Sequence, residues 1–343
     1  MFKLNFIPNI QRFADPNTNT TGTSTLSPEM KTFYDKTLID EVQPELVHDQ
    51  FGQERNIPKN GGKTIEFRKF SALPKATTPL TEGVTPNGKS LTVTAQTATV
   101  DQYGDYVTLS DMLELTAIDN TIVETLSIIG SQAGRTLDTV TREKLAAGTN
   151  VMYVPTPSAV GETVVTSRKD LTAKNVLTVK QVFKAAAALK AANAKPINGD
   201  FVAIIHPYVA YDLMMEAGDQ WMDIQKYKNP EHIYEGEIGK IGGVRFVQTT
   251  EAKIWKGTAD KCADGVAVFG TLFLAANAYG KTSINGGGLQ TIVKQKGSAG
   301  TADPLDQRST IGWKAVKTAE ILSEEYMIRV ESGSSWNDAA EKN

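Results

Sequence analysis

The sequence predicts an α+β protein organised along one long helix. Three observations carry that expectation: helical periodicity over Asp119–Gly148, a change to period-two alternation between Lys59 and Val107, and two apolar runs of strand length, Phe201–Ile205 and Val266–Leu274. In the long helix Ile118, Ile122, Leu126, Ile129, Ala133, Leu137, Val140 and Leu145 recur mostly every three or four positions, so they share one narrow face. Thr121 with Glu124 offers a capping-box start and Gly148 a stop. At 1.5 Å per residue the helix is roughly 45 Å long, which suits a spine carrying separate lobes. An ordinary buried helix is the plainer alternative.

The elements follow in order. The opening MFKLNFIPNIQRFAD alternates apolar and polar residues, and Asn5, Pro8, Asn9 and Gln11 break it, so it lacks the apolar core of an export signal. Pro16–Ser27 is almost wholly small and polar and is expected to be a flexible arm. Ser27-Pro28-Glu29 then opens a helix with Met30, Phe33, Tyr34, Thr37 and Leu38 on its apolar side, limited by Pro44. Lys63–Phe70 and Ser90–Val100 read as strands around a Pro- and Gly-rich excursion of about twenty residues, long enough to suggest a functional loop. A two-stranded ribbon has too little core to stand by itself. It is expected to lie on something else, such as a neighbouring subunit; the alternative is two strands of an ordinary sheet joined by a disordered loop.

Through Tyr103-Gly104-Asp105-Tyr106 and the short segment Ser110–Thr116 the chain enters the long helix. Val151–Lys174 follows as strand and loop. Thr178–Ala194 is a second helix, with Thr178 and Gln181 as its capping box and Val179, Val182, Phe183, Ala186 and Leu189 on one side. His206-Pro207 ends the Phe201–Ile205 strand, and Tyr208–Met215 continues as helix. Gly236–Val247 is a turn and strand whose glycines match neither GxGxxG nor GxxxxGKS/T, so they serve turns and not a nucleotide. Thr282–Asn285, Leu289–Lys296, Ser309–Leu322 and Tyr326–Glu331 suggest a third sheet system, and the polar tail Ser332–Asn343 is expected to be loose.

Composition removes several classes of function. With 343 residues, 40% hydrophobic and 22% charged, the chain can bury one large or two modest cores. A net charge of −3 and a pI near 5.8 argue against a protein held on nucleic acid by broad electrostatics. The single Cys262 excludes an intrachain disulfide, and His48, His206 and His232 lie too far apart for metal-ligand spacing. No apolar run is long enough to cross a bilayer. There is no GxSxG, HExxH or CxxC, and no defensible Ser/His/Asp set; paired carboxylates such as Glu324-Glu325 read as a solvated face. No catalytic, cofactor or metal residues are assigned.

The order of parts, and the segments LSPEMKTFYDKTL, VHDQFGQERNIPKNGGKTIEFRKFSALPKATTPLTEGVTPNGKSLTVTAQTATVDQYGDYVTLSD and DPLDQRSTIGWKAVKTAEIL, resemble the N4 gp56 family of major capsid proteins of tailed phages, which have the HK97-type fold. The resemblance spans most of Leu26–Glu331, is most specific at residues 47–111 and is weakest in the middle lobe. It implies an N-terminal arm at 1–58, an E-loop at 59–107, the spine helix and first part of the P-domain at 108–174, an A-domain at 175–280, and the second part of the P-domain with the tail at 281–343. It also implies a non-enzymatic shell protein, assembled in the bacterial cytoplasm as homo-hexamers and homo-pentamers around double-stranded DNA, with scaffolding, portal and decoration proteins as partners and no membrane. Some such shells crosslink a loop lysine to an asparagine; Lys75 and Lys89 lie in the loop here, and no crosslink site is carried over. The alternatives are an encapsulin-type compartment around cargo protein and a soluble two-lobed α/β enzyme. FIPNIQRFAD reads equally as a scaffold-binding segment, a cleaved segment or a plain arm.

Overall fold

The computed structural model describes residues 18–22, 47–116, 121–158, 161–218, 236–298, 303–337 and 341–343. The amphipathic start and the helix after Ser27 therefore lie outside the described residues. Strands β1 (Thr18–Gly22) and β2 (Gln53–Glu54) precede the ribbon of β3 (Thr64–Phe70) and β4 (Val93–Thr99). Strand β5 (Asp101–Ser110) leads through α1 (Asp111–Thr116) to the long helix α2 (Thr121–Ala146). Next come β6 (Val151–Tyr153), β7 (Thr156–Ser158), β8 (Gly161–Thr163), α3 (Val179–Ala191), β9 (Phe201–Ile205) and α4 (Pro207–Ala217). The chain closes with β10 (Glu237–Ile241), β11 (Val244–Gln248), β12 (Ile254–Lys256), β13 (Ala267–Leu274), β14 (Tyr279–Thr282), β15 (Gln290–Lys294), β16 (Arg308–Ile321) and β17 (Met327–Ser332). Two compact units result: Met1–Gln43 with Gln102–Gly134 and Leu289–Ala315, and Pro44–Asp101 with Arg135–Gly288 and Val316–Asn343.

Helix α2 has 26 residues, about 39 Å at 1.5 Å per residue. Leu126, Ile129, Ala133, Leu137 and Leu145 are buried, as their spacing demands, while Val140 is half-buried and Ile128 is 67% exposed. The capping box of Thr121 and Glu124 and the apolar Ile118 and Ile122 concern side chains outside the described residues. Gly148 follows the end of the helix but not in the left-handed conformation of a glycine stop. Its role is close packing, since a Cβ there would lie 2.5 Å from the Met327 side chain. Capping falls instead to Arg329, whose guanidinium donates to the carbonyl of Ala146 and, at 2.8 Å, to that of Gly148. A cation at a helix C-terminus meets orphan carbonyls and the negative end of the dipole together.

In the larger unit the order β10-β11-β9-β13-β17-β6, with β12 on β13, makes a seven-stranded sheet. Strand β9 is parallel to β11 and antiparallel to β13. Every residue of β9 and β13 is buried because both faces are covered. Phe201, Ala203 and Ile205 pack with Val182, Leu189 and Leu213 of α3 and α4, while Val202 and Ile204 pack with Val47, Phe51 and Leu145. The continuous apolar runs were the readable sign of that double cover.

Of the later strands, β14 and β15 both pair with β16 in a sheet separate from that of β9 and β13, as expected, whereas β17 does not join them. Strand β17 is buried at all six positions and fills the slot between β13 and β6, antiparallel to the first and parallel to the second. Strand β14 pairs with Thr318–Ile321 of β16. The tail is anchored where it is described: Ser334 and Ser335 donate to Asp212, Trp336 stacks on Tyr208 at 5.6 Å, and Asn337 and Asn343 bond the chain at Ala267 and Ile254. Composition misled there because the polar side chains are spent on unpaired backbone and helix groups, not on water. Helix α3 has the expected Thr178 cap, whose hydroxyl accepts from the Gln181 N–H at 3.4 Å. The reciprocal bond is not from Gln181; Glu216 of α4 accepts from the Val179 N–H at 2.8 Å instead. Phe183, expected on the buried side, is 47% exposed and lies over Gly242. Gly236–Val247 is a hairpin of β10 and β11, with Gly242 and Gly243 at positive φ in the turn.

In the smaller unit Tyr103–Tyr106 belongs to the ten-residue strand β5. Strand β1 runs parallel to it, Thr18–Thr20 beside Thr108–Ser110, within the stretch expected as a flexible arm. Three threonines in five residues give this polar segment a β-branched composition suited to a strand. Strand β15 is antiparallel to Thr310–Lys314 of β16. A Cβ on Gly104 or Gly312 would meet the opposing backbone at 2.6 or 2.7 Å, so these glycines permit the close approach of β5 and β16. Gln132 of α2 links the two strands, donating to Asp105 at 2.7 Å and accepting from the Trp313 indole at 3.3 Å.

The end of α2 is fixed by an ionic cluster in the larger unit. The fully buried Glu331 takes a bidentate pair from Arg168, both contacts at 2.7 Å, and a third bond from Arg329 at 2.9 Å. Trp255 covers both guanidiniums, the Arg168 centre lying 3.9 Å from a ring centroid. Removing the shared negative charge leaves two cations crowded together with little solvent. Glu331→Gln should cost about 3–5 kcal/mol in urea unfolding of the dissociated subunit, the range for a broken buried pair; an unchanged midpoint would show that the cluster is not held by its charge.

Candidate assembly surface

The ribbon is the part of the larger unit least explained by the unit itself. Strands β3 and β4 pair antiparallel from Thr64↔Thr99 to Phe70↔Val93 and form a separate two-stranded sheet, not two members of a larger one. Its root is held. Phe67 is buried against Gly280, where a Cβ would lie 2.8 Å from the ring, and Ala98 and Val100 are buried beside it. Lys69 Nζ donates to Ser323 at 2.5 Å and lies 5.1 Å from the Tyr326 ring centroid, while Gln96 donates to Glu320 at 3.2 Å.

Beyond that root no described residue of the unit covers it. Residues Ser71–Thr92 are exposed throughout. Phe70, Leu73, Leu80, Val84, Leu91 and Val93 are six of the fifteen large apolar side chains exposed among the described residues, Leu80 at 77%. Such a concentration on one excursion marks a surface made for contact, whereas scattered single residues need no explanation. Lys75 and Lys89 lie on the same excursion, both exposed.

The segment under α2 is built for rigidity. His48 donates its backbone N–H to Asp138 at 2.7 Å, and its Nδ1 faces the other carboxylate oxygen at 2.6 Å, both side chains fully buried. Asp49 accepts from Thr141 at 2.7 Å and from Lys317 at 2.5 Å, and Lys317 also donates to the carbonyl of Leu137 at 2.8 Å. The Tyr279 hydroxyl donates to the carbonyl of His48, and burial pushes its pKa well above the ordinary value. These partners are separated by 90 to 268 positions, so no spacing rule in the sequence could have found them.

The other described histidine and the cysteine are structural. His206 caps α4 by accepting from the Tyr208 N–H at 3.2 Å, and burial lowers its pKa to about 4. Burial raises the Cys262 thiol to about 11, leaving it unreactive. His232 lies outside the described residues. Of the expected solvated pair, Glu325 is exposed, while Glu324 accepts from the Thr149 N–H at 3.0 Å. Among the described residues no group of three His, Cys, Asp or Glu is placed to hold a metal ion, and no helix is long and apolar enough to cross a membrane. In the smaller unit a cleft of about 590 Å³ lies against β5, β15 and β16; its lining includes Tyr106, Trp313, Lys294 and Arg308 and has no histidine or cysteine.

A long helix, an extended ribbon with exposed apolar residues and a helix-covered sheet are together the parts of an HK97-type shell subunit, and solved phage shells share this fold. The capsid of Ralstonia phage GP4 superposes with a TM-score of 0.63 at 14% identity, covering 83% of this chain and 87% of that one. The capsid of cyanophage P-SCSP1u gives 0.58 at 15% identity over 83% and 87%, and that of cyanophage Pam1 gives 0.58 at 14% over 98% and 100%. Residues 29–301 match the family model described as phage capsid protein, and the chain belongs to that family. No curated protein sequence matches it. The protein is thus a structural component of the virion, a major capsid protein that self-assembles into the phage head, and not an enzyme.

Two substitutions test the site. Gly280→Val drives a branched side chain into Phe67, at a cost of about 1–3 kcal/mol for overpacking, and should free the ribbon root; limited proteolysis then cuts Ser71–Thr92 faster than in the parent, and equal rates would show that this contact does not seat the ribbon. His206 has a folded pKa below its unfolded value of 6.5, so its effect is absent above about 6.5 and grows as the unfolded chain alone takes up the proton. Stability should fall by about 1.4 kcal/mol per pH unit from 6.5 toward 4. His206→Asn, which keeps a capping side chain, should remove that component of the slope in denaturation curves.

Proposed function

We propose that the chain forms hexamers and pentamers that tile an icosahedral shell around the double-stranded DNA of a tailed phage, and that it falls in the N4 gp56 branch of capsid proteins. One observation carries this reading: the ribbon exposes Phe70, Leu73, Leu80, Val84, Leu91 and Val93 with no core of its own. A neighbour's surface supplies the missing cover, and a head-to-tail contact of that kind closes into rings. In this reading residues 1–58 are the N-terminal arm and 59–107 the E-loop. Residues 108–174 carry the spine helix and first part of the P-domain, 175–280 are the A-domain, and 281–343 complete the P-domain and tail.

Assembly takes place in the bacterial cytoplasm with a scaffolding protein and a portal, and decoration proteins bind the finished shell. DNA contacts are few and weakened by salt, as suits a chain of net charge −3. The test compares the parent with a variant in which Ser71–Thr92 is replaced by a short Gly-Ser turn, using negative-stain electron microscopy and size exclusion. The parent should form closed shells or rings, and the variant should keep its far-UV spectrum yet stay unassembled. Assembly of the variant would overturn the role given to the ribbon. Shells from infected cells should contain nuclease-protected DNA; cargo protein in its place would favour a compartment.

A further inference from the structure

The sequence contains four Asn-Gly pairs, Asn60-Gly61, Asn87-Gly88, Asn198-Gly199 and Asn285-Gly286. In such a pair the backbone nitrogen of the glycine can attack the asparagine side-chain carbonyl carbon. The N–Cγ bond forms, the Cγ–Nδ2 bond breaks and ammonia leaves, giving a cyclic imide. Water then opens the ring to aspartate or isoaspartate. The attack needs rotation about the asparagine Cα–C bond until the nitrogen faces Cγ, so a backbone locked in a hydrogen-bonded turn resists it.

Three of the four pairs are locked. Asn60 is held at φ 67°, with the Gly61 N–H bonded to the carbonyl of Pro58 at 2.9 Å. Asn198 and Gly199, at φ 50° and 94°, are the two central residues of a turn closed by Ile197 and Asp200 bonding in both directions, at 2.8 and 3.2 Å. Asn285 donates its N–H to Ile57 at 2.8 Å, inside a turn closed by Gly287 N–H to the carbonyl of Ile284 at 2.7 Å. Asn87-Gly88 differs in each respect. Both residues are exposed and outside any strand or turn, neither has positive φ, and no hydrogen bond holds either among the described residues. A Cβ built on Gly88 meets nothing within 4 Å.

We propose that Asn87 is a self-modifying position, the pair at which this chain spontaneously loses side-chain ammonia, and that the reaction is suppressed once the loop is seated on a neighbour. The second half rests on the shell reading; the first does not. The product carries a new negative charge two residues from Lys89, and the isoaspartate form adds one backbone carbon to the excursion.

The test is incubation of the unassembled full chain at mildly alkaline pH, followed by peptide mass spectrometry of all four pairs. Asn87 should convert well before the other three, and Gly88→Ala, whose Cβ points into open space, should slow it severalfold while leaving the unfolding midpoint unchanged. Conversion of Asn60, Asn198 or Asn285 at the same rate or earlier would overturn the assignment. Assembled shells incubated in parallel separate the two halves: slower conversion than in the free chain supports the seated loop. An equal rate, with Asn87 still leading, leaves the modification standing and overturns the covered loop.

Discussion

The carboxylate of Glu331 is the constraint on which the larger unit turns. It sits fully buried and is shared by two guanidiniums. One of these, Arg329, extends to the carbonyls at the end of α2, and the other, Arg168, also donates to the carbonyl of Asp260 at 2.9 Å. The position of the helix end, the β17 strand and the loops around Trp255 are thereby set by one group. Isolated charges are costly to bury, and the arrangement holds because both guanidiniums also donate to backbone carbonyls and lie against the Trp255 ring. The pairs His48–Asp138 and Lys317–Asp49 repeat the device further up the same helix. A helix fastened by directional bonds at successive turns resists sliding in a way that an apolar seam does not.

The ribbon follows the opposite rule. Its root is fastened by Phe67, Lys69 and Gln96, but its outer part is left incomplete, with apolar side chains that no described residue of the same unit covers. A folded domain that leaves such a surface open is aggregation-prone unless something defined covers it. In the shell reading proposed above the defined cover is another copy, and the same residues that threaten the solitary subunit would then drive the ordered contact.

How much could be read beforehand depended on the range of the interaction. Local pattern located α2 and α3 by helical periodicity and β9 and β13 by their continuous apolar runs, each within a few residues, because the faces they bury are written in nearby positions. The ribbon was legible for the same reason, since Thr64–Phe70 and Val93–Thr99 alternate and the span between them is rich in proline and glycine. Partner choice was not legible. That β17 belongs with β13 and β6, that Glu216 caps α3, and that Ser334 and Ser335 fasten to Asp212 are all set by long-range packing, and Glu216, Ser334 and Ser335 look like solvated polar positions in the sequence. Gly148 was located correctly but for a different reason, the proximity of Met327 and not a left-handed turn.

The place of β17 in the sheet also bears on how the chain acquires its structure. Strands β9 and β13 are buried at every residue, yet one long flank of β13 is completed only by residues 327–332. During synthesis those two apolar strands emerge well before the segment that closes them, and a ribosome-bound chain displays a hydrophobic edge able to pair with any other. The sheet is dominated by contacts between distant positions, which slows its formation further. Closure of the sheet therefore waits on residues 327–332, and until they are in place the open flank of β13 is where pairing within the chain competes with misassembly.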